Sequence, residues 1–320
     1  MSNNCNNNHG ILLTNGMPFY SLNQYCKDTF GEKVYRLSLN AGFTCPNRDG
    51  LLSNIGCLYC SEGGSGDFAS PCELSIHEQI ASAKERIMAK CKCTKFIAYF
   101  QAYTNTYAPI SKLKQVFTEA INEPDIVALS IATRSDCLDE EIINLLSELN
   151  LKKPIWIELG LQSIHQSSLN MMNTHTCVEQ FDNAVKRLNA CNIQVVAHLI
   201  LGLPGESKEM MLQSIDYVAN SNIKGVKLQL LHILKNTPLA EIYEAKPFKT
   251  FELEEYCDFV IDCIERLPSD MVIHRMTGDG PRSLLIAPLW STDKKKVLNT
   301  IHQKFKQRNT WQGRLYSPKE

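Results

Sequence analysis

PIWIELGLQS (residues 154–163), an amphipathic stretch over 176–191, then IQVVAHLILGLPG (193–205) read together as strand, helix, strand. Both apolar runs are nearly continuous in Val, Ile and Leu, the pattern of strands buried on both faces of a parallel sheet. Parallel neighbours need a crossover, and the stretch between the runs is long enough to be a helix. The same unit recurs outward in both directions. Further apolar runs are KVYRLSLN (33–40), KFIAYFQA (95–102), DIVALSIAT (125–133), GVKLQLLHIL (225–234) and MVIHRM (271–276). Helical patterns at 75–90, 111–122, 138–150, 206–221 and 252–266 separate them, the first opened by a Ser75-x-x-Glu78 capping box. Such alternation predicts a parallel α/β fold, either a barrel, a partial barrel or a doubly wound sheet.

In these folds chemistry sits at the C-terminal ends of the strands and in the loops that follow. Gln101, Tyr103, Asn105, Thr133, Arg134, Gln162, Ser163, His232 and Lys235 all fall there. The strongest signal occupies the loop after the first run: Cys45-Pro-Asn-Arg-Asp-Gly-Leu-Leu-Ser-Asn-Ile-Gly-Cys57-Leu-Tyr-Cys60. Three thiolates from one loop can hold three irons of a cubane cluster and leave the fourth open. Glycines at 42, 50, 56, 63, 64 and 66 let that loop approach a cofactor closely. Two other chemistries use similar spacings. Cys57-x-x-Cys60 could bind zinc together with Cys91-x-Cys93 or Cys72, or could be a redox pair.

Composition narrows the choice. The 320-residue chain can bury a full core without disulfide staples, and its thirteen cysteines are an odd number. No apolar run approaches the ~20 residues of a membrane span. MSNNCNNNHG has neither the basic nor the apolar part of a secretory signal, so residues 1–15 are expected to be a loose tail and the setting cytoplasmic, with reduced thiols. Cys137, Cys177, Cys191, Cys257 and Cys263 fit buried small hydrophobes. From Arg282 to Glu320 nine Lys or Arg face two acids. A basic segment on a near-neutral chain points either to a polyanionic partner or to a solvated helix face.

The three-cysteine loop with Tyr59 before its last cysteine resembles the radical S-adenosylmethionine (SAM) superfamily. The superfamily's usual spacing is three residues and then two, whereas here it is eleven and two. That spacing is similar to a bacterial branch akin to the catalytic subunit of Elongator. The likeness also runs through CPNRDG, GSGDF (64–68), YFQAYTNTYAP (99–109), SIATRSDCL (130–138), WIELGLQS, HLILGLPGE (198–206) and VKLQLLHILKNTPL (226–239), over roughly residues 15–310.

The resemblance implies a partial (β/α)6 barrel over 16–270, with a cluster loop at 42–68 and a basic extension over 271–320. It implies a [4Fe–4S] cluster on Cys45, Cys57 and Cys60, with SAM on the open iron. One-electron reduction of SAM would yield a 5′-deoxyadenosyl radical that takes hydrogen from substrate. By location, Gln101 and Tyr103 are candidates to contact the methionine moiety. Arg134, beside Thr133, would clamp a carboxylate or else pair with Asp136. Glu158, Gln162 and Ser163 would meet the ribose, and Gly202 and Pro204 the adenine, unless GLPG is an ordinary turn. His232 and Lys235 would face substrate, or His232 is simply buried. Asp279 belongs to a late polar cluster with His274 and Arg275.

Members akin to Elongator's catalytic subunit act on the tRNA wobble uridine, so the resemblance implies the tRNA anticodon loop as partner. Lys294, Lys295, Lys296, Lys304, Lys306 and Arg308 would meet phosphates, and Tyr103, Tyr107 and Trp290 could stack on bases. The expected reaction converts 5-carboxymethylaminomethyl(-2-thio)uridine to 5-aminomethyl(-2-thio)uridine, with an electron donor such as flavodoxin or ferredoxin and a downstream tRNA methyltransferase. The rival expectations are a radical SAM enzyme acting on a small molecule or tetrapyrrole, and a zinc-stabilised RNA-binding module without catalysis.

Overall fold

The computed structural model describes residues 16–278 and 280–318; the tail at 1–15, Asp279 and the last two residues lie outside that range. Among the described residues nine strands alternate with helices: β1 (Tyr35–Leu39), β2 (Phe96–Phe100), β3 (Ile126–Thr133), β4 (Ile155–Gln162), β5 (Gln194–Leu201), β6 (Gly225–Leu230), β7 (Ile233–Leu234), β8 (Val272–Arg275) and β9 (Leu285–Ala287). The helices are α1 (Leu22–Phe30), α2 (Ile76–Met88), α3 (Ile110–Asn122), α4 (Glu140–Asn150), α5 (Gln166–Met171), α6 (Val178–Ala190), α7 (Lys208–Ala219), α8 (Pro238–Ala245), α9 (Leu253–Glu265) and α10 (Lys294–Arg308). None is long and apolar enough to cross a membrane among the described residues.

Seven strands form one parallel sheet in the order β1-β2-β3-β4-β5-β6-β8, curled as a partial barrel. The six-stranded expectation thus gains a strand. MVIHRM, read as the start of an extension, pairs through β8 with β6, so a boundary at 270 cuts through the sheet. The short β7 and β9 pair antiparallel beside it. Helix α2 starts where the sequence places it: Ser75 and Glu78 form a reciprocal capping box, worth about 1 kcal/mol.

The inward positions of the strands stack in layers, as in closed barrels. The lowest layer is apolar: Ile97, Ala128, Trp156 and Val196 pack together, and Leu22 and Tyr25 of α1 close them from below. The Tyr25 ring meets Trp156 edge-on at 5.6 Å. Two residues further along β1 to β6 stand Arg36, Tyr99, Ser130, Glu158, His198 and Lys227. Two further still, Gln101, Ala132, Gly160, Ile200 and Gln229 line an open cavity. A hydrophobic floor therefore carries a charged layer, and the cavity begins on that layer.

Helix α10 packs along α9, and this changes the meaning of the basic C-terminus. Lys304 Nζ lies 2.8 Å from Glu254 and 2.9 Å from Asp258, and Arg308 Nη2 lies 2.6 Å from Asp262 and 3.1 Å from Glu265. Part of the charge counted along the segment is thus answered by the acidic face of the preceding helix. Lys304 and Arg308 are structural cations here. The exposed Lys294, Lys295, Lys296 and Lys306 retain the phosphate-facing expectation. Trp290 is likewise engaged, its indole N–H donating to the Phe251 carbonyl at 2.9 Å and its ring packing on Tyr256.

Candidate active site

Between the end of β1 at Leu39 and the start of α2 the chain makes its longest irregular excursion, through residues 40–75, at the C-terminal edge of the sheet. Loops of this length in compact folds are usually functional. This one brings Cys45, Cys57 and Cys60 to the wall of a single cavity, together with Gln101, Tyr103 and Arg134. Glycine makes the approach possible. Gly64 has φ +58°, and a Cβ there would fall 2.3 Å from the Tyr103 ring; one on Gly66 would fall 2.4 Å from the Ala102 Cβ. Gly64→Ala is therefore expected to displace the loop and lose bound iron, measured as iron per chain after anaerobic reconstitution; full iron content would show that the close approach is dispensable.

The strand-end residues divide into those that brace this loop and those that remain open. Gln101 Nε2 donates to the Ser65 carbonyl at 2.7 Å, and the Tyr103 hydroxyl donates to the Glu62 carbonyl. Both line the cavity while holding the loop. Arg134 clamps a carboxylate bidentately, but that carboxylate is Asp136, at 2.9 and 2.7 Å, and Nη1 donates to the Thr174 carbonyl at 2.8 Å. Thr133 shares its hydroxyl with Thr106 at 2.5 Å. Tyr107 stands outside the cavity, against Leu51 and Leu52 in a neighbouring groove.

Several expected contacts are not brought to the cavity. Ser163 is fully buried and donates to Glu206. Gly202 and Pro204 do not reach the cavity wall, and a Cβ on Gly202 (φ +94°) would meet the Phe251 ring at 3.1 Å, as at a packed turn. The Lys235 side chain is exposed away from the cavity. His232 does line it, seated against Gly278 and Gly280, where a Cβ on either would fall within 3 Å of the imidazole. Gln162 is the clearest open group: it lines the cavity with φ +67°, and its Oε1 is buried without a hydrogen-bond partner.

The charged layer below was visible in the sequence only as Glu158 and Arg275; Arg36, Tyr99, Ser130, His198 and Lys227 were missed, as was Gln229 in the layer above. Its detectable signal is a polar residue at the same depth in each apolar run. Glu158 is the hub. It receives Lys227 on Oε2, His198 Nε2 at 3.0 Å, the Ser130 hydroxyl at 2.7 Å and Arg36 at 3.7 Å. Burial pushes the carboxyl up, but Lys227 and Arg36 outweigh that and hold it well below the usual range. Burial and the Lys227 charge bring His198 down to about 4, so its imidazole is neutral. Lys227 Nζ also reaches the Tyr99 hydroxyl at 3.0 Å. Arg275 lines the same floor through a 3.4 Å contact to Gln229. Among the described residues, Arg36, Lys227 and Arg275 share this layer with a single carboxylate.

Burial raises the Cys57 thiol to about 11, reinforced by Cys60, and raises Cys60 as well. Thiolates at these positions call for a strongly positive centre beside them, which iron supplies. Among the described residues no three His, Cys, Asp or Glu side chains converge as ligands of one metal ion. A tetrahedral zinc site needs that convergence, whereas a cubane takes its cysteines on three different irons. Cys91 and Cys93 lie before β2, at the opposite edge of the sheet, and Cys72 is exposed. Among the described residues, Cys72, Cys91 and Cys93 are not brought to the cavity that Cys57 and Cys60 line. The three cavity thiols, the glycine cradle and the unpartnered Gln162 Oε1 fit a cluster with SAM beside it.

The model of the radical SAM superfamily matches residues 48–218, more than half the chain, and that of the radical SAM C-terminal domain matches 223–307. The chain belongs to the radical SAM superfamily. Its cofactors are those of that superfamily, a [4Fe–4S] cluster and SAM. This radical SAM enzyme is 39% identical to YtqA of Bacillus subtilis (strain 168) over 93% of its own length and 92% of that protein's. It is 28% identical to the tRNA uridine(34) acetyltransferase of Methanocaldococcus infernus, over 50% of its own length but only 30% of that longer protein. The archaeal Elp3 of Methanocaldococcus infernus superposes with a TM-score of 0.64 at 20% identity, covering 85% of this chain and 63% of that one, and shares the fold.

Proposed function

We propose that this radical SAM enzyme acts on the wobble uridine of tRNA, converting 5-carboxymethylaminomethyl(-2-thio)uridine to 5-aminomethyl(-2-thio)uridine. The observation that carries the proposal is one cavity with cysteines at its rim and a cationic layer at its floor. Cys45, Cys57 and Cys60 hold the cluster, which when bound supplies the electron that cleaves SAM and starts hydrogen abstraction from substrate. The floor suits the substrate's carboxylate: an anion on the Gln229–Arg275 side would lie over the buried Lys227 and Arg36. The methylene between that carboxylate and the amine would then stand higher in the cavity, on the side of the cysteines. Gln162 Oε1 accepts a hydroxyl or amine at mid-depth.

RNA fits the rim. Lys294 Nζ stands 5.9 Å from the Phe68 ring centroid, which brings the start of α10 against the cluster loop. Three exposed lysines occupy the first turn of that helix, where the macrodipole disfavours cations, so a phosphate there would relieve a repulsion. A wobble base already lies in a single-stranded loop and can enter the cavity without melting a duplex. The partners that follow are the tRNA anticodon loop, a flavodoxin- or ferredoxin-type electron donor, and a methyltransferase that uses the amine product.

The test of RNA binding is a salt series with tRNA on wild type and a Lys295→Glu, Lys296→Glu double variant. Affinity is expected to fall about 10-fold or more at 0.1 M salt and the log–log salt slope to flatten by about 2, with the melting temperature unchanged. Identical affinity and slope would take tRNA away from this face.

A further inference from the structure

Asn47 stands inside the cysteine loop, two residues after Cys45, and is fully buried. Its side-chain nitrogen donates to the Asn173 carbonyl at 2.6 Å and lies 3.4 Å from the Cys57 sulfur. The orientation is fixed, because a flipped amide would set its oxygen against the Asn173 carbonyl oxygen. Its Oδ1 is buried without a partner, a cost the fold bears to keep the nitrogen facing this way.

The chain segment after α5 holds the acceptor in place. Asn173 has φ +53°, and its own side chain donates to the Gly56 carbonyl at 2.8 Å. The Met172 carbonyl accepts from the Leu58 amide at 3.0 Å, and Arg134 donates to the Thr174 carbonyl. Three of these bonds clasp the cysteine loop to residues 172–173, and Arg134 ties the same segment to the end of β3. Retaining a loop does not require that one of its amides point at a cysteine sulfur. That N–H has a chemical consequence once the sulfur is an iron ligand.

We infer that Asn47 tunes the cluster, its amide N–H donating to the Cys57 sulfur and making the cluster easier to reduce. The inference rests on Cys57 being an iron ligand. Reduction of an iron–sulfur cluster places negative charge partly on the cysteine sulfurs, and a hydrogen bond to a sulfur stabilises the reduced form. Arg48 braces the same loop beside Cys60, its guanidinium donating to the Cys60 and Ser61 carbonyls at 2.8 and 2.6 Å. Asn47 is a positioning residue that acts through Cys57; it does not contact substrate.

The test is an anaerobic redox titration of the full chain with reconstituted cluster, followed by electron paramagnetic resonance. Asn47→Leu removes the donor, and Asn47→Asp keeps the shape but replaces the donor by an acceptor. The midpoint potential is expected to shift lower in Asn47→Leu and lower again in Asn47→Asp, with about four irons per chain retained in both. Potentials equal to wild type with intact clusters would overturn the inference, as would loss of the cluster from both variants, which would assign Asn47 to retention. Cys57→Ala separates the two levels. If it keeps its iron, Cys57 is not a ligand and the site assignment falls with the inference. If it loses its iron while the Asn47 variants keep wild-type potentials, only the inference falls.

Discussion

Alanine at any one of Cys45, Cys57 or Cys60 is expected to take iron from about four per chain to near zero and to bring reductive SAM cleavage below detection. The three thiols come from one loop and line one cavity, and none has a substitute within it. Cys137 lines the neighbouring groove rather than the cavity, and burial pushes its thiol up to about 12 beside Asp136. Cys137→Ala should therefore keep its cluster. Iron and sulfide analysis of the four single variants, prepared anaerobically, checks both halves. A cluster retained in any of the first three would displace that cysteine from the site.

The second large effect lies beneath the cavity. Glu158→Gln is expected to cost about 3–5 kcal/mol of stability, because it strands Lys227 and Arg36 in the barrel interior without a counter-charge. Denaturant titration of wild type and variant measures it, and a loss below about 1 kcal/mol would show that the layer is hydrated or otherwise balanced. The pH dependence has a definite sign. The Glu158 carboxyl is held below its ordinary value, so its contribution is complete above the unfolded value and is lost as pH falls through the depressed folded one. Acid should unfold wild type with a step that Glu158→Gln lacks.

Periodicity carried the architecture. Each continuous apolar run became a strand, except that GVKLQLLHIL divided into β6 and β7 of different sheets, and the long amphipathic stretches became helices within a residue or two of their expected limits. Helices α1, α5, α8 and α10 were not legible as elements, because packing rather than a strong apolar stripe settles short or polar helices. The cysteine loop stood out by its spacing, which left a cluster, zinc and a redox pair open, and the wider run of resembling motifs pointed to the cluster. Residues such as Gln101, Tyr103 and Arg134 were correctly placed at strand ends, but their bonds depend on neighbours distant in sequence: Ser65, Glu62 and Thr174. The basic tail was misread in part for the same reason, as Lys304 and Arg308 are answered by α9 some 45 residues earlier. The charged layer stayed hidden because a lone polar residue in an apolar strand looks like an exception until six strands show it at one depth.

The measurement that bears most directly on the proposed function is nucleoside mass spectrometry of tRNA carrying 5-carboxymethylaminomethyluridine after anaerobic incubation with cluster-loaded enzyme, SAM and reductant. The expected result is conversion to 5-aminomethyluridine with 5′-deoxyadenosine formed alongside, and neither product in Cys57→Ala. Formation of 5′-deoxyadenosine with every tRNA nucleoside unchanged would contradict it, leaving a radical SAM enzyme whose substrate is not this uridine.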